Sequence, residues 1–174
     1  PGYVASGGSI MSGGAFVDSV DGDDGTLDGL GRTGRSLYAD GARSLVFTFD
    51  AGALGRLPTH VGIVWTDVGF TDTLYGFGDV LFEAFDGLGA SLGTITALGQ
   101  GDGDVHGYTD EDRFFGVRSF AGIGRIEITM RTSGDWEVDH VQYGVLTPVP
   151  AALPLLAAAL GGLGWLGNRR RTRP

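Results

Sequence analysis

The chain has 174 residues, no cysteine and no lysine, and residues 1–147 carry 8 arginines against 21 acidic side chains, a net charge of −13. Such a charge repels phosphate backbones and anionic lipid headgroups and attracts divalent cations, so nucleic acid is not an expected partner. The lack of cysteine excludes a disulfide framework and a thiolate metal site. The length predicts one domain rather than two.

The first forty residues read as loop, rich in glycine and short polar side chains. The chain opens at Pro1 without an initiator methionine and without the charged segment and apolar run of a signal peptide. We therefore expect this to be a fragment or a processed form of an exported precursor.

An acidic, glycine-hinged stretch between residues 18 and 29 is the first candidate site. Short carboxylates two residues apart can converge on one hard cation with oxygen ligands, which predicts a Ca²⁺ site. The stretch is not an EF-hand, because Gly25 stands where that loop needs its third ligand. The alternative is a solvated acidic turn. The predicted ligands are Asp21, Asp23, Asp24 and Asp139.

Asp139 belongs to a different part of the chain from the other three predicted ligands. Near the end of the domain, Glu137 and Asp139 alternate with Trp136 and Val138, as on a strand with one polar face. We expect the early acidic loop to lie against this last strand, which would bring several carboxylates together.

From Arg43 onward, apolar and polar residues alternate with the period of two that marks half-buried strands. Glycine-rich turn signals separate seven such segments, and no amphipathic helix is apparent. The pattern predicts an all-β fold over residues 1–145, an antiparallel β-sandwich of jelly-roll type. The predicted strands cover residues 43–49, 61–65, 80–84, 92–98, 114–117, 126–130 and 136–145.

Catalytic motifs are missing from the sequence. The chain has three histidines, and it contains neither a Gly-x-Ser-x-Gly elbow nor a His-Glu-x-x-His helix. The domain therefore reads as a binding protein and not an enzyme. The alternative is a secreted hydrolase acting on polysaccharide, because two carboxylates such as Glu83 and Glu111 suffice for glycoside hydrolysis.

Several aromatic residues fall on or near predicted loops, where an aromatic platform with a polar rim could hold a sugar ring. This favours extracellular polysaccharide as the partner of the domain. For one member, Trp65, burial in the core is the stronger expectation. The candidates are Trp65, Phe70, Tyr75, Phe77 and Tyr108.

The C-terminal region is apolar and ends in arginines. No charged side chain occurs from Gly144 to Asn168, a length sufficient to cross a bilayer core as a helix. Prolines define a linker over residues 146–153, and residues 154–174 read as a hydrophobic helix with a basic stop. Basic residues are held on the cytoplasmic face, so the domain would lie on the far side of the membrane.

This order resembles the C-terminal sorting signal of PEP-CTERM proteins, in the variant that reads Val-Pro-Leu-Pro-Ala. The resemblance implies export, transient anchoring in the inner membrane, processing by an exosortase-type membrane peptidase, and a final place at the cell surface or outside the cell. A plain membrane anchor is the alternative. The corresponding positions are Pro148, Val149, Pro150, Ala151, Arg169, Arg170 and Arg171; the sequence departs from the pattern at Thr147, which replaces its first Val, and at Val149, which replaces its Leu.

Blocks of the domain between residues 18 and 144 also resemble uncharacterised exported proteins with the same tail. That second resemblance implies an exported jelly-roll-like domain and supplies no catalytic residues.

Overall fold

A computed structural model describes residues 2–14, 16–22, 25–67, 80–97, 100, 106–131, 136–146, 156 and 158–160. Within these ranges the chain forms ten β-strands and one short helix between strands, with further helical residues at 156 and 158–160. The strands are β1 Tyr3–Ser6, β2 Ser9–Ser12, β3 Arg35–Tyr38, β4 Ser44–Phe49, β5 His60–Asp67, β6 Val80–Phe85, β7 Ser91–Ala97, β8 Arg113–Arg118, β9 Arg125–Met130 and β10 Glu137–Gly144, and the helix is α1 Ala51–Leu54.

The strands form two five-stranded sheets in which every neighbouring pair is antiparallel. The first sheet has the order β1-β4-β9-β6-β7 and the second has the order β2-β3-β10-β5-β8. The chain is thus mostly β, with two antiparallel sheets and a sandwich-like arrangement. The predicted all-β class is confirmed at this level.

The strand pairings are nested along the chain. β6 pairs with β7, β5 with β8, β4 with β9 and β3 with β10, each pair enclosing the one before it. β1 and β2 extend the two sheets at one edge. This nesting places β10, the last strand, in the middle of the second sheet between β3 and β5.

The core lies between the sheets and is built from the inward positions of the alternating strands. Phe82 of the first sheet and Phe115 of the second stack with ring centroids 6.2 Å apart. Trp65 and Trp136 are fully buried, with ring centroids 4.9 Å apart. Burying such large rings removes much apolar surface from water, which is the main stabilising contribution to the fold.

All seven predicted strands are present, but the prediction that the first forty residues are loop is wrong. β1, β2 and β3 lie there, each four residues long. β1 and β2 are mostly exposed and pair with β4 and β3 at the sheet edges. Because β1 and β2 bury little surface, their sequences show no apolar alternation. Their strand conformation comes from pairing with a neighbouring strand.

Two hydrogen bonds to Thr59 hold the backbone where the chain leaves the second sheet at the end of β10. Thr59 N donates to Gly144 O (2.9 Å), and Leu146 N donates to Thr59 Oγ1 (2.9 Å). Beyond this point, residues 156 and 158–160 are helical.

Across the described ranges, no helix combines the length and the apolar character needed to cross a membrane. The predicted sorting residues Pro148, Val149, Pro150, Ala151, Arg169, Arg170 and Arg171 lie outside the described residues.

Candidate functional site

The outer face of the second sheet, the face turned away from the core, carries the candidate site. Val61, Ile63 and Trp65 of β5 point into the core, so the intervening residues of β5 and their partners face outward. Three cross-strand rows follow from the register of β8, β5 and β10. They are Phe114–Val64–Asp139, Gly116–Gly62–Gln142 and Arg118–His60–Gly144.

In the middle row, β8 and β5 each contribute a glycine, Gly116 and Gly62, so no side chain projects from these two strands there. The Phe114 ring lies on this glycine floor. A Cβ on Gly62 would lie 2.2 Å from Phe114 Cζ, and a Cβ on Gly116 would lie 2.9 Å from its Cε1. The ring therefore rests against the backbone of both glycines. Phe114 is still 60% exposed. An aromatic ring supported from below and open to solvent above is suited to stacking with a ligand.

A groove of about 830 Å³ is lined by residues of this part of the sheet and by Ile95 of β7 in the first sheet. Phe114 lines it together with three polar side chains, those of His60, Arg118 and Gln142. His60 Nδ1 is hydrogen-bonded to Thr59 Oγ1 at 3.0 Å, which fixes the imidazole ring. The Arg118 guanidinium lies over the exposed Phe120 ring, 4.6 Å from its centroid. The groove thus combines one apolar platform with donors and acceptors at its rim.

A β-bulge in β10 sets which side chains reach the outer face. Asp139 is paired with Val64 and Gln142 with Gly62, so three residue steps on β10 match two on β5. His140 sits in this bulge with φ +47°, a left-handed conformation rare for a residue with a side chain. The extra residue turns Asp139 and Gln142 to the same face, where alternation alone would separate them.

The outer face continues into an acidic region covered by residues 16–20. Asp18 N donates to Glu137 Oε2 (2.8 Å), and the Ser36 hydroxyl donates to the same oxygen. Thr66 Oγ1 donates to the Asp18 carbonyl (2.6 Å). Asp18 and Glu137 are both buried. The expected contact between the early acidic loop and the last strand is therefore confirmed.

Asp139 connects the acidic region to the row that holds Phe114. Its Oδ2 accepts hydrogen bonds from Ser19 Oγ (2.9 Å) and Val20 N (3.2 Å). Its Oδ1 accepts one from His140 N (2.6 Å), the amide of the bulge residue. This carboxylate holds the early loop and the bulge together, whatever else it binds.

Asp21 organises the loop that follows. Its Oδ1 accepts from Asp28 N (3.0 Å) and its Oδ2 from Gly29 N (3.1 Å), so both oxygens close a turn of the backbone. The next residue, Leu30, forms a β-bridge with Tyr108, which ties the early loop to the segment before β8.

Asp112, which lies just before β8, has a strongly perturbed proton affinity. Burial raises the pKa of Asp112 to about 7, and the nearby negative charges of Asp139 and Asp21 add to the effect. The positive charges of Arg113 and His140 oppose it. Its Oδ1 is buried, and among the described residues it has no hydrogen-bond partner. Asp139 and Asp21 therefore lie close enough to Asp112 to contribute to the raised pKa of this group.

The calcium prediction stays a prediction. Asp21 and Asp139 are brought to the same region, but both already accept backbone hydrogen bonds. Asp23 and Asp24 lie outside the described residues. In the part of the chain that the structure describes, no three histidine or acidic side chains are grouped as metal ligands.

The other residues singled out from the sequence are dispersed. Glu83 lies on β6 of the first sheet and accepts from Ser91 Oγ (2.7 Å), whereas Glu111 is buried just before β8 of the second sheet. Trp65 is a core residue, as its alternation favours. Tyr108 stacks under the Arg32 guanidinium, 4.8 Å away. The remaining aromatic candidates, Phe70, Tyr75 and Phe77, lie outside the described residues.

Phe114 and its glycine floor were not identified from the sequence. The available signal was a glycine at an outward position of each of two predicted strands, but only the register shows that Gly62 and Gly116 are partners.

A search of protein-family models, of curated proteins and of solved structures finds no match to this chain. The side chains of the outer face therefore carry the functional proposal.

Proposed function

We propose that the chain is an exported cell-surface or extracellular-matrix protein whose β-sandwich binds polysaccharide on the outer face of its second sheet. The observation that carries this proposal is the Phe114 ring, exposed to solvent while supported by Gly62 and Gly116. A pyranose ring has an apolar C–H face and a rim of hydroxyl groups. The groove offers the complementary surface, an aromatic face beside the side chains of His60, Gln142 and Arg118.

The strand order supports a finer description of the fold, a jelly roll. The nested pairs from β3·β10 to β6·β7 are those of a long hairpin wound on itself into two sheets. Jelly rolls serve as lectin domains among other roles, so the architecture is compatible with sugar binding without requiring it.

The C-terminal region supports the proposed location. Its apolar run and arginines favour a transient inner-membrane helix, and the resemblance of Pro148–Ala151 to a sorting motif favours processing by an exosortase-type peptidase. In this proposal the protein is then released to the cell surface or the extracellular space. Ca²⁺ bound by Asp21, Asp23, Asp24 and Asp139 would stiffen the early loop beside the groove.

The test of the proposed function is retention on immobilised polysaccharides by the wild-type domain and by Phe114→Ala. We expect Phe114→Ala to lose at least tenfold in affinity because the stacking surface disappears. Phe16→Ala is the matched control, since Phe16 is 62% exposed and lies in the early loop, outside the groove lining. If neither neutral nor charged polysaccharides bind the wild-type domain, the proposed function is wrong.

One observation favours a second candidate, a polysaccharide hydrolase. A carboxyl group with a raised pKa next to a second carboxylate is the arrangement of a general acid and its partner, and Asp112 beside Asp139 has this character. Asp112 would protonate the leaving glycosidic oxygen, while Asp139 would take a proton from the water that attacks the anomeric carbon. Release of reducing ends that Asp112→Asn abolishes would favour this candidate over a binding protein.

A further inference from the structure

We propose that the groove selects an anionic polysaccharide, with an acidic group of one sugar unit bound by Arg118 and a nearby sugar ring stacked on Phe114. This inference rests on the proposed function and specifies the class of its ligand.

The charge of the groove differs from that of the domain around it. Residues 1–147 carry a net charge of −13, yet no acidic side chain is among the described residues that line the groove. Arg118 is the permanently charged side chain of that lining. Arg118 is therefore the charged group that a ligand in the groove would contact directly, whereas charges farther away than about 8–10 Å are largely screened at physiological salt.

Arg118 is also available for a ligand. Its guanidinium stacks on Phe120, and within the described ranges no carboxylate is paired with it. Stacking holds one face of the planar group, while its N–H donors remain at the edge, where a carboxylate can accept two parallel hydrogen bonds. The stacked position limits the side-chain freedom that binding would otherwise remove.

The spacing along β8 indicates an extended ligand. Phe114 and Arg118 face outward on the same strand four residues apart, which corresponds to roughly 13 Å between their Cα atoms. The floor between them is Gly116, beside Gly62 and Gln142. A polymer lying along the strand can stack on Phe114 and reach Arg118 together, with Gln142 available to its hydroxyl groups.

The overall negative charge of the domain disfavours non-specific binding of an anionic polysaccharide. A domain at −13 repels a polyanion over most of its surface, so non-specific electrostatic attraction cannot produce binding. Association with an anionic polymer therefore requires a local site that overcomes this repulsion.

The experiment compares two forms of one polymer, polygalacturonate and its fully methyl-esterified form, which share a backbone and differ in charge. Affinities are measured for the wild-type domain, Arg118→Gln, Arg131→Gln and Phe114→Ala. Arg131 is exposed and directly follows β9 of the first sheet, so Arg131→Gln makes the same charge change away from the groove. Circular dichroism checks that each variant is folded.

We expect the wild-type domain to bind the acidic form at least tenfold more tightly than the ester, with an affinity that falls as NaCl is raised. Arg118→Gln should remove the preference, Arg131→Gln should keep it, and Phe114→Ala should weaken binding of both forms. Equal wild-type binding of the two forms, with loss in Phe114→Ala, overturns the anionic preference and leaves the proposed function standing. A preference that survives in Arg118→Gln also overturns the inference. Failure of both forms and of all neutral polysaccharides to bind overturns the proposed function itself.

Discussion

The Phe114 ring occupies the space that a side chain on Gly62 would need, because a Cβ at that position would lie 2.2 Å from Phe114 Cζ. The two residues come from neighbouring strands, β8 and β5. Glycine at position 62 is thus what allows the outer end of the ring to lie against the sheet. The platform is a property of this pair and of Gly116, and not of Phe114 alone.

Gly62→Ala should therefore lift the ring and weaken polysaccharide binding by several-fold. The atoms it displaces belong to the far end of an exposed side chain, and the backbone Phe115 O, at 3.2 Å, needs to move by only a few tenths of an ångström, so we expect a change in unfolding free energy of about 1 kcal/mol. Gly52→Ala is the matched control: Gly52 lies in α1, outside the groove lining, and a Cβ there would first meet the exposed Asp50 side chain at 3.1 Å. Unchanged affinity in Gly62→Ala would show that the position of the Phe114 ring against the sheet does not matter for binding.

Asp112 should make the stability of the domain fall as pH rises. Its folded pKa of about 7 exceeds the ordinary value of 3.8, so between these values the folded state holds a proton that the unfolded state has released. Its contribution is therefore favourable at low pH, declines from about pH 4 to pH 7, and is constant above. Solvent screening of a half-buried group reduces the effect to roughly 1–2 kcal/mol.

Chemical denaturation of wild type and Asp112→Asn at several pH values measures this effect. The variant should gain stability relative to wild type as pH rises through this window, while Asp110→Asn, an exposed neighbour, should track the wild type. A difference that is independent of pH would refute the assignment.

Millimolar Ca²⁺ should raise the melting temperature above that in chelator, because a cation that binds only the folded state stabilises it. Asp21→Ala with Asp23→Ala should abolish the increment. Since Asp21 also closes a backbone turn, the double variant should melt lower in both conditions, and the increment itself is the readout. The control is NaCl at equal ionic strength. A wild-type melting curve that is the same in Ca²⁺ and in chelator would mean that the acidic loop binds no calcium.

Replacing Leu156 and Leu160 with Asp should prevent membrane insertion of the precursor. Both side chains are exposed in the structure, and each Asp costs about 2.5–3.5 kcal/mol at the centre of a membrane helix. Fractionation of cells that express the precursor measures the loss, with Leu156→Ala plus Leu160→Ala as the control for side-chain size. Undiminished membrane association of the Asp variant would disprove the role of this segment.

The strands were predictable where one face is buried, as on β4, where the burial of Leu45, Phe47 and Phe49 follows the apolar alternation. β1 and β2 were not, because edge strands with little buried surface take their conformation from the neighbour that they pair with. Local sequence carries the burial pattern but not the pairing partner.

The candidate site was predictable only in part, for a related reason. The contact of the early loop with Glu137 and Asp139 followed from polar residues alternating on the last strand. The alignment of Gly62 with Gly116 depends on register, and the placement of Gln142 beside Asp139 depends on the bulge at His140. Neither register nor bulge is encoded by periodicity within a single strand.

The central position of β10 has a mechanical consequence for the C-terminally anchored state proposed above. Because β3 and β5 flank this strand on both sides, a force on the linker would act on the central strand of a five-stranded sheet and not on an edge strand. The hydrogen bonds of Thr59 with Gly144 and Leu146 are the first to bear that load. In that state, tension would be shared across the second sheet, and cutting the chain after Leu146 would remove the load without removing any of the ten described strands.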